Sequence, residues 1–170
     1  LGMTKKVLVA DTFALGVDWG FSNPEKLNGL AVLLVMLSYM IQLYFDFSGY
    51  CDMAIGIGKM LGIEIPINFN SPYKSCNIID FWKRWHITLS RFFTKNIYIP
   101  LGGSRNGTLC MITSTLAATL LATIWYGFSL NTVMCAFYFA TPTLHCLPFL
   151  RGTSVILFFS FSFYLLLYVV

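Results

Sequence analysis

The sequence contains few charged residues, which make up 11% of its 170 positions, against about 25% in a typical soluble protein. Hydrophobic residues make up 57%, more than one small core can remove from water. The shortage of charge therefore excludes an ordinary soluble domain and favours an integral membrane protein. The net charge of +4 is too small, and too interleaved with apolar runs, to indicate binding to nucleic acid.

Residues that bind metals or form disulfides are also scarce. The five cysteines form no CxxC pair, and the two histidines, His86 and His145, lack the spacing of metal ligands. We therefore expect neither a metal centre nor a disulfide framework. The opening residues, LGMTKKVLVADTF, contain no apolar run long enough for a secretory signal, and we expect the sequence to be a piece of a longer protein.

Long uncharged runs predict where the chain crosses the membrane, because a spanning helix needs about 20 apolar residues. Asn23 and Pro24 predict the start of the first helix, since asparagine caps helices and proline suits the first helical position. The expected fold is an all-α integral membrane protein, a fragment with about four transmembrane helices and one amphipathic interfacial helix. The four predicted spans cover residues 27–45, 108–127, 131–149 and 152–170.

A basic segment, residues 59–105, separates the first predicted span from the others. It holds most of the 11 Lys and Arg residues, opposed only by Glu64 and Asp80. Because Lys and Arg concentrate on the cytoplasmic side of membranes, we expect this segment to be cytoplasmic. The protein is then a multi-pass protein of the inner, cytoplasmic membrane.

Two carboxylates, Asp46 and Asp52, follow the first apolar run, at what we expect to be a helix end. An unpaired charge is costly there, so each is interpreted either as part of a structural ion pair or as a functional group. The sequence leaves both interpretations open. A packing face for a neighbouring helix is indicated by small residues that follow, namely Gly49, Gly56, Gly58 and Gly62.

Residues 77–93 show the apolar spacing of one amphipathic helix, which is typical of a membrane interface. Asn77 is predicted to cap this helix, with Asp80 at the third position and paired with Arg84 one turn later. His86 lies among aromatic residues, where a histidine is either a structural hydrogen-bonding residue or an acid/base group.

A Pro- and Gly-rich turn, residues 98–107, follows the amphipathic helix and includes Arg105. Such a turn can bring backbone N–H groups close to an anion. A simple loop before a transmembrane helix explains the same residues.

Four ordered blocks in this region resemble the membrane-bound O-acyltransferase family, in particular its alginate O-acetylation and teichoic-acid D-alanylation branch. The resemblance extends from about Val9 to Arg105. The blocks are QLYFDFSGYCDMAIGIGKMLGI at 42–63, NFNSPY at 68–73, DFWKRWHITLSRFF at 80–93 and YIPLGGSR at 98–105.

The resemblance implies an enzyme that moves an acyl group, most simply acetyl, from a cytoplasmic thioester to a hydroxyl of an exported polysaccharide such as alginate. The implied donor is acetyl-CoA or an acyl carrier protein thioester, with no bound cofactor. The implied partners are membrane lipid, the donor or carrier protein, and an extracytoplasmic acyltransferase. The residues expected to bind the substrate or carrier are Asp80, Trp82, Arg84 and Arg105, beside the cations Lys83 and Arg91. The resemblance leaves Asp46 and Asp52 as candidates for orienting groups.

The same resemblance makes His86 the first candidate catalytic residue. A second family histidine, in a Trp-His-Gly motif, corresponds to Tyr126 in the sequence Trp125-Tyr126-Gly127. Because a tyrosine with a pKa near 10 is about 10³-fold less deprotonated at pH 7 than a histidine, Tyr126 cannot simply replace that base. The protein is then impaired, or relies on His86 with Tyr126 only positioning the substrate, or diverges from the family after Arg105.

Two alternatives to an active enzyme remain. A catalytically disabled family member would act as a membrane module that binds a carrier or partner. A transporter or channel built on Asp46 and Asp52 would need polar residues along the later spans, which contain Ser, Thr and Asn but no Asp, Glu, Lys or Arg.

Overall fold

The computed structural model describes residues 1–126, and the predicted spans at 131–149 and 152–170 lie outside them. Within the described part the chain forms helices and turns and contains no strand. It divides into two compact units, an N-terminal unit, Leu1–Asn68, and a C-terminal unit that begins at Phe69.

The N-terminal unit is an antiparallel helical pair. A π-helical segment, Thr4–Ala10, continues directly into helix α1, Asp11–Ser22, and both pack against helix α2, Gly29–Met60. Gly20 of α1 lies against the Val35 side chain of α2. The first of these helices was not predicted, because the opening residues contain no long apolar run.

The predicted start of the first helix, with Asn23 as its cap and Pro24 as its first residue, is wrong by several residues. Asn23 ends α1 instead of starting α2: its Nδ2 donates to the Trp19 carbonyl over 3.0 Å, and its Oδ1 accepts from Lys26 Nζ. Pro24–Lys26 forms a single 3₁₀ turn. Asn28 caps α2 instead, since its side chain accepts from the N–H of Ala31 at 2.8 Å.

The helix that contains the first predicted span extends beyond residue 45, because α2 has 32 residues in all and ends at Met60. At 1.5 Å per residue it is about 48 Å long, which exceeds the roughly 30 Å of a bilayer's hydrocarbon core. The helix ends in a Schellman motif, in which Gly62 has a φ of 73° and the N–H of Ile63 donates to the Gly58 carbonyl. The charged residues Asp46 and Asp52 do not end the helix, because its backbone hydrogen bonds continue past them.

Among the described residues, α2 alone is long and apolar enough to cross a membrane by length and composition. A shorter apolar helical stretch, Thr108–Ala122, lies within helix α5, Thr108–Tyr126. Helix α5 occupies the position of the second predicted span.

The C-terminal unit begins with a 3₁₀ turn, Pro72–Lys74, followed by two short helices, α3 and α4. Helix α3 covers Ile78–Arg84 and helix α4 covers Ile87–Phe93. The prediction of a single amphipathic helix over residues 77–93 is therefore wrong. A π-helical segment, Thr94–Tyr98, and a glycine-rich turn connect α4 to α5.

Candidate functional site

The two short helices are separated by a sharp break at Trp85 and His86. Trp85 is extended, with φ −97° and ψ 125°, and His86 is left-handed, with φ 43° and ψ 58°. This conformation costs a non-glycine residue roughly 1–2 kcal/mol, although histidine adopts it more often than most residues. The Ser90 hydroxyl donates across the break to the Trp85 carbonyl over 3.2 Å. The break thus holds His86, the first candidate catalytic residue, in an unusual backbone conformation.

The predicted cap and ion pair of α3 are both confirmed. The N–H of Asp80 donates to Asn77 Oδ1 at 2.8 Å, and Arg84 Nε donates to Asp80 Oδ2 at 3.0 Å. The Arg84–Asp80 pair is about one-third exposed at each side chain. Arg84 also meets Asn70, a residue that sequence reasoning missed: the N–H of Asn70 donates to the Arg84 carbonyl at 3.0 Å, and Arg84 Nη1 lies 3.5 Å from the Asn70 carbonyl.

An aromatic cluster surrounds Trp85 at the break. Phe81 is 1% exposed and Trp85 is 8% exposed, and their rings stack with centroids 5.6 Å apart. Phe69 meets Trp85 edge-on at 5.0 Å, and Tyr73 stacks on Phe81 at 6.4 Å. Trp82, predicted to bind substrate, is half-buried and meets Phe81 edge-on. The cluster shows that residues 69–73 pack against residues 81–85.

His86 lines an apolar cleft of about 260 Å³ together with side chains of α4, namely Thr88, Leu89, Phe92 and Phe93. The His86 Nδ1 atom is out of solvent. Burial lowers the pKa of His86 below its ordinary value of 6.5, and a backbone hydrogen bond opposes the shift. The imidazole is therefore largely neutral at pH 7, the form that can accept a proton.

The glycine-rich turn before α5 uses its backbone N–H groups within the chain. The N–H groups of Leu101, Gly102 and Arg105 donate to backbone carbonyls, and that of Gly103 donates to the buried Ser114 hydroxyl at 3.3 Å. These bonds favour a structural loop over an anion cradle. Arg105 itself is exposed.

Asp46 and Asp52 lie inside α2, not at its end, and both form ion pairs with the N-terminal segment. Lys5 Nζ lies 2.7 Å from Asp52 Oδ2, and Lys6 Nζ lies 2.5 Å from Asp46 Oδ1. Lys6 Nζ also lies 3.4 Å from Asp11 Oδ1. The carboxylates of Asp46 and Asp11 raise the pKa of Lys6. Of the two interpretations of these aspartates, the structure gives direct support to the structural ion pair. The two lysines were not recognised from the sequence.

The remaining candidate residues lie at or beyond the end of the described part of the chain. Tyr126 is the last residue of α5, and Gly127 and His145 lie outside the described residues. Within residues 1–126, no three His, Cys, Asp or Glu side chains are grouped so that they could hold a metal ion.

Comparison with known proteins matches residues 17–166 to the family model of MBOAT, the membrane-bound O-acyltransferase family. The peptidoglycan O-acetyltransferase of Helicobacter pylori is 52% identical over 127 residues, which are 75% of this chain and 24% of that protein. The probable alginate O-acetylase AlgI of Pseudomonas fluorescens is 44% identical over 78% of this chain and 27% of its own length. The teichoic acid D-alanyltransferase of Bacillus subtilis is 46% identical over 41% of this chain and 18% of its own length.

This chain therefore spans about a quarter of the length of the first two of these relatives. The family match nevertheless covers most of it, including the blocks that fold around His86. The chain belongs to the membrane-bound O-acyltransferase family.

Proposed function

We propose that the protein containing this chain is a membrane O-acetyltransferase that modifies a hydroxyl of an exported polysaccharide, such as alginate, and that His86 is its acid/base residue. The observation that carries the proposal is the left-handed His86 at the helix break, largely neutral and beside an apolar cleft. Relatives named as O-acetyltransferases of peptidoglycan and alginate support acetyl as the acyl group.

The reaction needs one base and one proton relay. His86 accepts the proton of the acceptor hydroxyl as the hydroxyl oxygen attacks the thioester carbonyl carbon. The carbon–sulfur bond then breaks, the ester forms, and the leaving thiolate takes the proton from the imidazolium. Because burial lowers the pKa of His86, its imidazole is neutral before this step and its imidazolium is acidic enough to return the proton after it.

The donor is a thioester of coenzyme A or of an acyl carrier protein, presented on the cytoplasmic side of the inner membrane. Exposed cations of the C-terminal unit, namely Lys83, Arg91 and Arg105, would attract its phosphate or carboxylate groups. The apolar cleft beside His86 suits the acyl group itself. An extracytoplasmic partner would present the polysaccharide whose hydroxyl accepts the acyl group.

Tyr126 stands at the position of the second family histidine, and we assign it a role in positioning the substrate, because its hydroxyl is a poor base at neutral pH. The comparisons lend no support to a disabled binding module, since the named relatives are all transferases or acetylases.

The test is acetyl transfer from labelled acetyl-CoA by the full-length protein reconstituted in lipid, as it stands and with His86→Ala, Tyr126→His or Lys95→Gln. Lys95 is an exposed cation of the same unit with no assigned role, so Lys95→Gln controls for a general loss of charge. We expect His86→Ala to lower kcat by at least about 10²-fold, the usual range for general acid–base catalysis. Transfer that survives His86→Ala, or that appears only with Tyr126→His, would refute the assignment.

A further inference from the structure

The end of helix α3 is fixed by contacts from outside the helix. In a continuous helix the Arg84 carbonyl would accept from the N–H four residues later, but the break at Trp85 removes that partner. The N–H of Asn70 takes its place at 3.0 Å, and Arg84 Nη1 lies 3.5 Å from the Asn70 carbonyl. The Arg84 residue is therefore held to Asn70 through both its backbone and its side chain, two residues before His86.

The guanidinium of Arg84 is also committed within its own helix. Its Nε donates to Asp80 Oδ2 at 3.0 Å, and this pair is about one-third exposed. A planar guanidinium that holds a carboxylate and a carbonyl has a fixed orientation. Two of its nitrogens are thus occupied within the protein, whereas the side chain of neighbouring Lys83 is exposed.

Two unusual backbone conformations flank this contact. Among residues 1–126, the non-glycine residues with positive φ are Ser71, which follows Asn70, and His86, which follows the Arg84–Trp85 pair. Strained residues persist only where the surrounding structure determines them. The contact between Arg84 and Asn70 joins the two segments that contain them.

We propose that Arg84 is a positioning residue, which sets the backbone of His86 through its contacts with Asp80 and Asn70, and that it does not bind the acyl donor. This inference rests on the proposed function, and it replaces the expectation from sequence that Arg84 recognises the donor. The role of Asp80 changes with it, from substrate binding to holding the guanidinium.

The kinetic test compares neighbouring cations in the full-length protein in lipid. Arg84→Gln should lower kcat by about 10- to 100-fold, the loss expected when a reacting group is displaced by about 1 Å, with the donor KM nearly unchanged. Lys83→Gln should instead raise the donor KM with little effect on kcat, and Lys95→Gln should change neither. Arg84→Lys, which keeps the charge, should recover part of kcat.

A double-variant comparison tests whether the contacts act as one unit. If Asp80 works through Arg84, Asp80→Asn combined with Arg84→Gln should be no worse than the more damaging single variant, because residues of one network are not additive. Fully multiplied losses in kcat would show that the two residues act separately.

A second test measures the chemical reactivity of the His86 imidazole and does not depend on turnover. We expect diethyl pyrocarbonate to modify His86 several-fold faster in Arg84→Gln than in the unaltered protein or Lys95→Gln, read from the His86 peptide by mass spectrometry. Equal modification rates, or a raised donor KM with normal kcat in Arg84→Gln, would overturn the positioning role. If His86→Ala also retains activity, the proposed function fails as well, whereas loss of activity in His86→Ala with normal kcat in Arg84→Gln refutes only this inference.

Discussion

Two glycines on helix α2 should respond in opposite ways to the same substitution. A Cβ atom at Gly49 would lie 2.9 Å from the Gly2 carbonyl oxygen and 3.2 Å from the backbone nitrogen of Lys6, whereas one at Gly56 would meet nothing within 4 Å. The atoms near Gly49 belong to backbone, which cannot rotate away. Gly49→Ala must therefore push the N-terminal segment away from α2.

The expected size of the difference follows from two opposing effects. Alanine is favoured over glycine inside a helix by about 1 kcal/mol, and this gain applies to both positions. At Gly49 it is outweighed by overpacking, which costs typically 1–3 kcal/mol. We expect Gly56→Ala to be neutral or stabilising, and Gly49→Ala to be less stable than Gly56→Ala by about 2 kcal/mol, roughly 30-fold in the unfolding equilibrium.

The assay is the unfolding of the full-length protein in mixed micelles by titration with a denaturing detergent, followed by tryptophan fluorescence and checked by size-exclusion chromatography after heating. Gly56→Ala is the matched control, since it changes the same residue type in the same helix. Equal midpoints for the two variants would refute the close packing of the N-terminal segment against α2. So would a Gly49→Ala protein that is more stable than the unaltered one.

Two further predictions concern charge. Lys5→Asp and Asp52→Lys should each lower the free energy of unfolding by about 1–3 kcal/mol, because each leaves two like charges in a partly buried contact. The double swap should recover most of the loss in the same detergent titration. No recovery would show that the 2.7 Å pair between Lys5 and Asp52 does not contribute to stability. The pH profile of acetyl transfer should show kcat/KM falling as pH decreases, with its midpoint below 6.5, because burial lowers the pKa of His86 and only the neutral imidazole accepts a proton. A midpoint above 6.5 in this kinetic profile would contradict the burial of His86. Because the pKa of His86 is lowered, the folded state binds fewer protons than the unfolded state, so the contribution of His86 to stability is present above pH 6.5 and is lost as the pH falls.

Local signals predicted the features that depend on neighbours in sequence. The cap at Asn77 and the Asp80–Arg84 pair were found because a capping side chain and an i,i+4 pair need no information beyond one helical turn. The apolar character of α2 was found because composition alone reports it.

Features set by distant partners could not be predicted in the same way. The apolar stripe continues through His86, and no glycine or proline marks the break there, so periodicity favoured one helix. What ends α3 is a hydrogen bond from Asn70, which has no local signature. Likewise α2 continues past Asp46 and Asp52, whose partners Lys6 and Lys5 lie about 40 residues or more away in the sequence, in a segment for which no helix was predicted.

The conformation of the chain around His86 must be fixed by tertiary contacts, because the two helices beside it are too short to be stable alone. Helices α3 and α4 have seven residues each, well below the roughly 12–15 residues at which an isolated helix becomes even marginally stable in water. The left-handed conformation of His86 adds a further cost. The stacking of Phe81 on Trp85 and the hydrogen bond from the Asn70 N–H to the Arg84 carbonyl both hold the end of α3 at the break. The block at 68–73 is therefore as much a part of the site as the block that contains the histidine, although none of its side chains was a candidate for the chemistry.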